Sequence, residues 1–228
     1  MSHFTVAVFS RSPAEVDTLL EPYCESVDSA SPYAVFEEEE SADFDAVAGK
    51  CGYWRNPDAH WDWYEIGGRW TGLLKLREGK TGAYGTPSWT NGDVLRDPGH
   101  CDQALVADCD FSSDPAAYDR ALRAWEIQVE DSPLRGSERP EDHLRFYKPE
   151  YFIRQYGTKE KYAKAQAAFH TFAFVTADGE WVEEGRMGWF GISDTTADSR
   201  KAYEDQFEAY LKQAETEGLT VTIMDCHI

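Results

Sequence analysis

The chain has 228 residues, of which 42% are hydrophobic and 14% aromatic, with 42 acidic against 22 basic side chains and a formal net charge of -20. That apolar content supplies a buried core and excludes disorder, while the charge makes a nucleic-acid backbone an unsuitable partner, because phosphate binding relies on Lys and Arg displacing counterions. Five cysteines without CxxC spacing fit neither a disulfide framework nor a zinc finger, and no stretch nears the roughly 18 apolar residues of a membrane span, so the expectation is a soluble, cytoplasmic, unexported protein.

In chain order, residues 3–9 (His-Phe-Thr-Val-Ala-Val-Phe) predict a strand with Phe4, Val6 and Val8 on one face. Ser12 as N-cap and Pro13 at the first helical position then start a helix carrying Val16, Leu19, Leu20 and Tyr23 at helical spacing. Tyr33–Phe36 reads as a short strand ending in the acidic run Glu37 to Glu40, which lacks the spaced ligands and turn glycine of a calcium loop. Residues 41–60 read as irregular.

The densest stretch is His60-Trp61-Asp62-Trp63-Tyr64-Glu65-Ile66-Gly67-Gly68-Arg69-Trp70. Aromatic bodies interleaved with charges describe either core or a pocket wall with polar groups aimed inward. Two extended segments, Trp61–Ile66 and Arg69–Arg77, are expected to join at Gly67-Gly68. That pair is a hairpin turn, or a place where backbone N–H groups beside Arg69 receive an anion. Residues 78–99 carry loop chemistry and suit a lid. In His100 to Phe111, Asp108 and Asp110 share a face if the chain is extended, so they can hold a divalent cation, share a proton or lie at a polar strand end.

A helical block over about 114–168 follows, capped by Asp114 and broken at Pro133–Pro140 and Gly157; it is expected to be a packed insertion in a single α+β domain. Thr171–Thr176, Asp178-Gly179 and Glu180–Val182 predict a hairpin, and the glycines around Trp189-Phe190 suit close packing or an aromatic platform. A long helix from Thr196 to Glu217 stops at Gly218, and Leu219–Ile228 closes the chain as a strand. The expected fold is α+β, a mixed or antiparallel sheet holding the N- and C-terminal strands with helices packed on it.

Asp225 and His227, two apart on the last strand, share a face, and His3 is placed similarly on the first. Neighbouring first and last strands would gather all three, as a metal site or a His–Asp acid/base couple. No nucleophile elbow, phosphate loop, dinucleotide fingerprint or HExxH motif occurs.

The opening Met1-Ser2-His3-Phe4-Thr5-Val6, the Trp61–Trp70 centre, Asp102-Gln103-Ala104, Asp108 to Phe111, Met187-Gly188-Trp189-Phe190-Gly191 and the closing Asp225-Cys226-His227-Ile228 resemble a family of uncharacterised proteins of bacteriophages and bacteria. The resemblance implies a phage-borne setting, with nucleotide metabolism or interference with host defence as contexts, and no mechanism.

The leading expectation is an enzyme acting on a small anionic, nucleotide-like substrate by metal-assisted or acid/base hydrolysis or transfer. His3, Asp62, Asp102, Asp225 and His227 would be catalytic. Trp61, Trp63, Tyr64, Gly67, Gly68, Arg69, Trp70 and Trp189 would bind substrate, with Arg69 clamping the anion. A divalent metal would be held by His3, Asp108, Asp225 and His227. The alternative is a non-catalytic acidic protein that binds a basic host protein through Glu37 to Glu40 and other carboxylates.

Overall fold

A computed structural model describes residues 2–86, 96–136, 138–139, 147–188 and 191–228. Its main sheet is built on β1 (His3–Ser10) and β11 (Thr220–His227), antiparallel over their whole lengths from the pair His3–His227 to the pair Ser10–Thr220. Beyond β1 lie β9 (Ala173–Val175), parallel to it, and β10 (Trp181–Glu183), antiparallel to β9. The other edge of β11 is shared: β8 (Gln103–Leu105) pairs with its first half and β5 (Trp63–Ile66) with its second. The chain is α+β, with both outer strands of the sequence side by side at the centre of a mixed sheet.

Both faces of this sheet are covered, and every residue of β11 and all of β1 but His3 is buried, polar ones included. On one face Ala7, Phe9, Phe174, Val221 and Ile223 meet Tyr203, Phe207 and Ala214 of α5 (Ala197–Glu217). Those helical positions recur at the spacing of one helix face, and each large side chain so buried contributes about 1.5–3 kcal/mol. Thr196 caps α5 by accepting the Ser199 N–H at 3.1 Å, and Gly218, at φ 69°, ends it. On the other face Phe4, Val6, Val8, Met224 and Cys226 meet Val16 and Leu20 of α1 (Val16–Leu20). The first helix is shorter than its apolar spacing suggested: single 3-10 turns, Pro13–Glu15 and Glu21–Tyr23, flank α1, and Pro22 ends the α-helical stretch.

Residues 41–60 are irregular only in part, since Phe44–Asp45 and Lys50–Arg55 are strands. Together with β2 (Val35–Glu38) they form a three-stranded wing of β3 (Phe44–Asp45) and β4 (Lys50–Arg55) in the order β2-β4-β3. The acidic run enters this wing as strand: Glu37 pairs with Arg55, and Glu38 with Lys50. Nor do Trp61–Ile66 and Arg69–Arg77 form a hairpin. Gly68–Trp70 is a 3-10 turn, and β6 (Leu74–Lys75) pairs with β7 (His100–Cys101) instead.

The helical block consists of α2 (Pro115–Gln128), α3 (Pro149–Tyr156) and α4 (Lys159–Ala167), with α4 against α2 and α3 reaching α5. Of the expected lid, residues 78–99, positions 87–95 lie outside the described residues, as do Trp189 and Phe190. Among the described residues no helix is long and apolar enough to cross a membrane.

Candidate acid–base site

Alternation along the strands places His3 and Thr5 of β1, Asp225 and His227 of β11, and Trp63 of β5 on one face of the sheet. Two cross-strand rows result, His3–His227–Trp63 and, one step inward, Thr5–Asp225–Glu65. The rings of His3 and His227 have centroids 5.0 Å apart at 75°, His3 meets Trp63 edge-on at 5.3 Å, and Trp63 stacks on His227 at 5.1 Å and 19°.

Each histidine has its own carboxylate. His3 Nδ1 lies 2.7 Å from Asp225 Oδ1, and His227 Nδ1 lies 2.7 Å from Asp62 Oδ1. The His3 and His227 side chains are 6% and 4% exposed, that of Asp225 is fully buried, and that of Asp62 is 33% exposed. Asp62 is further fixed because its N–H donates to the His227 carbonyl at 2.9 Å. A carboxylate at Nδ1 keeps the proton on that nitrogen, orients the ring and leaves Nε2 as the atom that takes up or gives a proton. Neither Nε2 hydrogen-bonds a described residue.

The double glycine explains how Asp225 is held. A β-carbon on Gly68 would fall 2.3 Å from Asp225 Cβ, and one on Gly67 would fall 2.4 Å from Asp102 Oδ2. Both glycines have positive φ, 76° and 50°. The turn therefore passes between two buried aspartates, and Arg69 N–H donates to Asp225 Oδ2 at 2.9 Å. The anion received by the turn's backbone is the protein's own carboxylate.

The other candidates stand elsewhere. Asp102, fully buried, accepts from Thr71 Oγ1 at 3.1 Å, Gly72 N–H at 2.6 Å and Gly85 N–H at 2.8 Å, so it ties the 71–85 loops to the sheet rather than facing the histidines. Asp108 lies in the 3-10 turn Val106–Asp108, beyond the Thr220 end of β11, and pairs with Lys80 at 2.7 Å. Asp110 pairs with Lys75, whose ammonium, with Ser112, holds that carboxyl well below its ordinary range. The turn breaks the alternation that would have put these two aspartates together. The four-residue metal set is thus not assembled, and among the described residues no three His, Cys, Asp or Glu side chains are placed to hold a metal ion.

Of the aromatics, only Trp63 among the described candidates touches the histidines. Trp61 is core, its indole N–H donating to the Leu20 carbonyl at 3.1 Å. Tyr64 points to the opposite face and donates to Asp17, and the pairing with that carboxylate adds to burial in raising its phenol. Trp70 packs against the α5-side core, whereas the Arg69 residue is exposed. Cys226 is wholly buried on the α1 side, and burial raises its thiol well above the ordinary range.

Sequence reasoning did not single out Ser2. Its hydroxyl donates to the Gly188 carbonyl at 2.7 Å and accepts the Gly191 N–H at 2.7 Å, tying Gly188 and Gly191 to the residue next to His3. Only its position next to His3 in the sequence could have signalled this. No protein-family model, curated protein or solved structure was found to match the chain.

Proposed function

We propose that the protein is an acid–base enzyme acting on a small anionic, nucleotide-like substrate, by hydrolysis or transfer at a phosphodiester or related bond. The supporting observation is the pair of imidazoles 5.0 Å apart, each held at Nδ1 by a separate aspartate. Two such rings offer one group to remove a proton from the attacking oxygen and another to protonate the leaving oxygen. The guanidinium of Arg69, the exposed residue of the turn next to Asp225, is assigned to the anion. The setting we propose, from the resemblance to phage-borne proteins, is nucleotide metabolism or interference with host defence.

The test is a turnover screen over cyclic nucleotides and dinucleotides with chelator present. His3→Gln and His227→Gln should each lower the rate about 10²- to 10⁴-fold, the usual worth of a positioned proton-transfer group, with unchanged circular dichroism. Full activity in both variants would overturn the reading.

A second reading, binding to a basic host protein, is favoured by one feature of the wing. Val35, Phe44 and Tyr53 lie exposed on one of its faces, with Glu39 and Glu40 exposed nearby. In that case Phe44→Ser should abolish capture by the partner while leaving turnover intact, and affinity should fall with added salt, since exposed charges are screened within roughly 8 Å at physiological ionic strength.

A further inference from the structure

A cleft of about 1490 Å³ lies between α5 and the α3–α4 pair. Two residues lining it carry buried polar atoms without a hydrogen-bond partner among the described residues, Gln155 Oε1 and Arg200 Nη1. Leaving a buried donor or acceptor unsatisfied costs about 1–3 kcal/mol. One of these atoms requires an acceptor and the other a donor. The Arg200 guanidinium is already fixed, over the Tyr156 ring at 4.9 Å and with Nε 3.4 Å from Glu184 Oε2, so Nη1 is presented in a set direction.

Against a net charge of -20 for the chain, the charged side chains lining the cleft are nearly balanced, seven Lys or Arg to six Asp or Glu. Helical spacing puts Lys161 and Lys164 of α4 on its wall, with Arg154 of α3 beside them, and none of the three forms an ion pair with a described residue. The acids of the facing helix are largely taken: Asp205 by Lys201, Glu208 by Lys212 and Glu215 by Arg77. Asp198 and Glu204 form no ion pair with a described residue, which weighs against a highly charged polyphosphate.

We propose that this cleft binds a small phosphomonoester that also carries a hydrogen-bond donor, a nucleoside monophosphate being the class that fits. The phosphate sits at Arg200 Nη1 with Lys161 and Lys164, and an N–H or O–H of the ligand donates to Gln155 Oε1. The site shares no residue with the two histidine couples.

Calorimetric titration with AMP and with inorganic sulfate, an anion that brings no donor at neutral pH, tests this. Wild type should bind AMP more tightly than sulfate. Lys161→Gln with Lys164→Gln, both exposed positions, should weaken AMP and sulfate alike by about tenfold or more, as expected for lost charge-assisted bonds. Gln155→Leu should weaken AMP and leave sulfate unchanged, and Arg200→Gln should remove both. In a His227→Ala background the same binding should persist, which keeps this site distinct from the acid–base pair. AMP binding that is absent, that survives the lysine changes in a folded protein, or that vanishes with His227→Ala would overturn the proposal.

Discussion

Gly68 and Asp225 are in contact so close that a β-carbon on the glycine would lie 2.3 Å from that of the aspartate. The turn has to be glycine for two reasons, the φ of 50° and this approach. Gly68→Ala should therefore cost about 2–4 kcal/mol, combining overpacking with a strained backbone, and should displace Asp225 from His3. Gly179→Ala is the control. Gly179 has φ 88°, but its nearest neighbour would be Leu19 Cδ2 at 3.9 Å. Urea unfolding should show the larger loss at Gly68; equal losses would mean that contact with Asp225 is unimportant.

The two aspartates behind the histidines should separate stability from activity. Asp225→Asn turns one of two buried acceptor oxygens into an NH2 donor facing either His3 or the Arg69 N–H, and should cost about 1–3 kcal/mol. Asp62→Asn, at a partly exposed site, should cost under about 1 kcal/mol. Each should still lower turnover by about 10²-fold or more, because the ring loses the group that fixes its tautomer. A fully active Asp62→Asn would make the His227 couple structural.

Glu184 should contribute to acid sensitivity. Burial raises this carboxyl, but the hydrogen bond and charge of His170, with Arg200, outweigh it and hold it below its ordinary value of 4.5. A folded-state value below the unfolded one gives stability that is present above pH 4.5 and lost as pH falls through the folded value. Below about pH 4.5, the pH dependence of unfolding should be shallower in Glu184→Gln than in wild type. Identical slopes would count against this role.

Thiol labelling should divide the five cysteines. Burial pushes Cys101 up to about 11 and Cys109 up to about 12, and Cys226 is wholly enclosed. Cys24 and Cys51 are partly exposed. A disulfide reagent on native protein should label Cys24 and Cys51 rapidly and the other three only on unfolding. Rapid labelling of Cys226 would show that the strand bearing Asp225 and His227 opens readily.

The paired outer strands, the long final helix and the hairpin at Asp178-Gly179 were legible in the sequence because each rests on a local pattern. Thr196 and Gly218 mark the ends of α5 chemically, and alternation alone put Asp225 and His227 on one face. The wing was hidden for the same reason in reverse: β3 is two residues long and β4 contains Gly52, so neither shows a periodic pattern. At Asp108 and Asp110 the extended reading was overturned by a single 3-10 turn, which alternation cannot reveal.

By itself the sequence determined the class of the fold, the ends of α5 and which side chains of β1 and β11 share a face, since these follow from backbone periodicity and capping within a few residues. Tertiary structure decided which carboxylate serves which histidine. Asp62 reaches His227 across 165 positions and Asp225 reaches His3 across 222, and these partnerships exist only because β1 and β5 flank β11 in one register. It also decided that the glycine pair admits two buried aspartates, a requirement set by packing at a distance and absent from any local pattern.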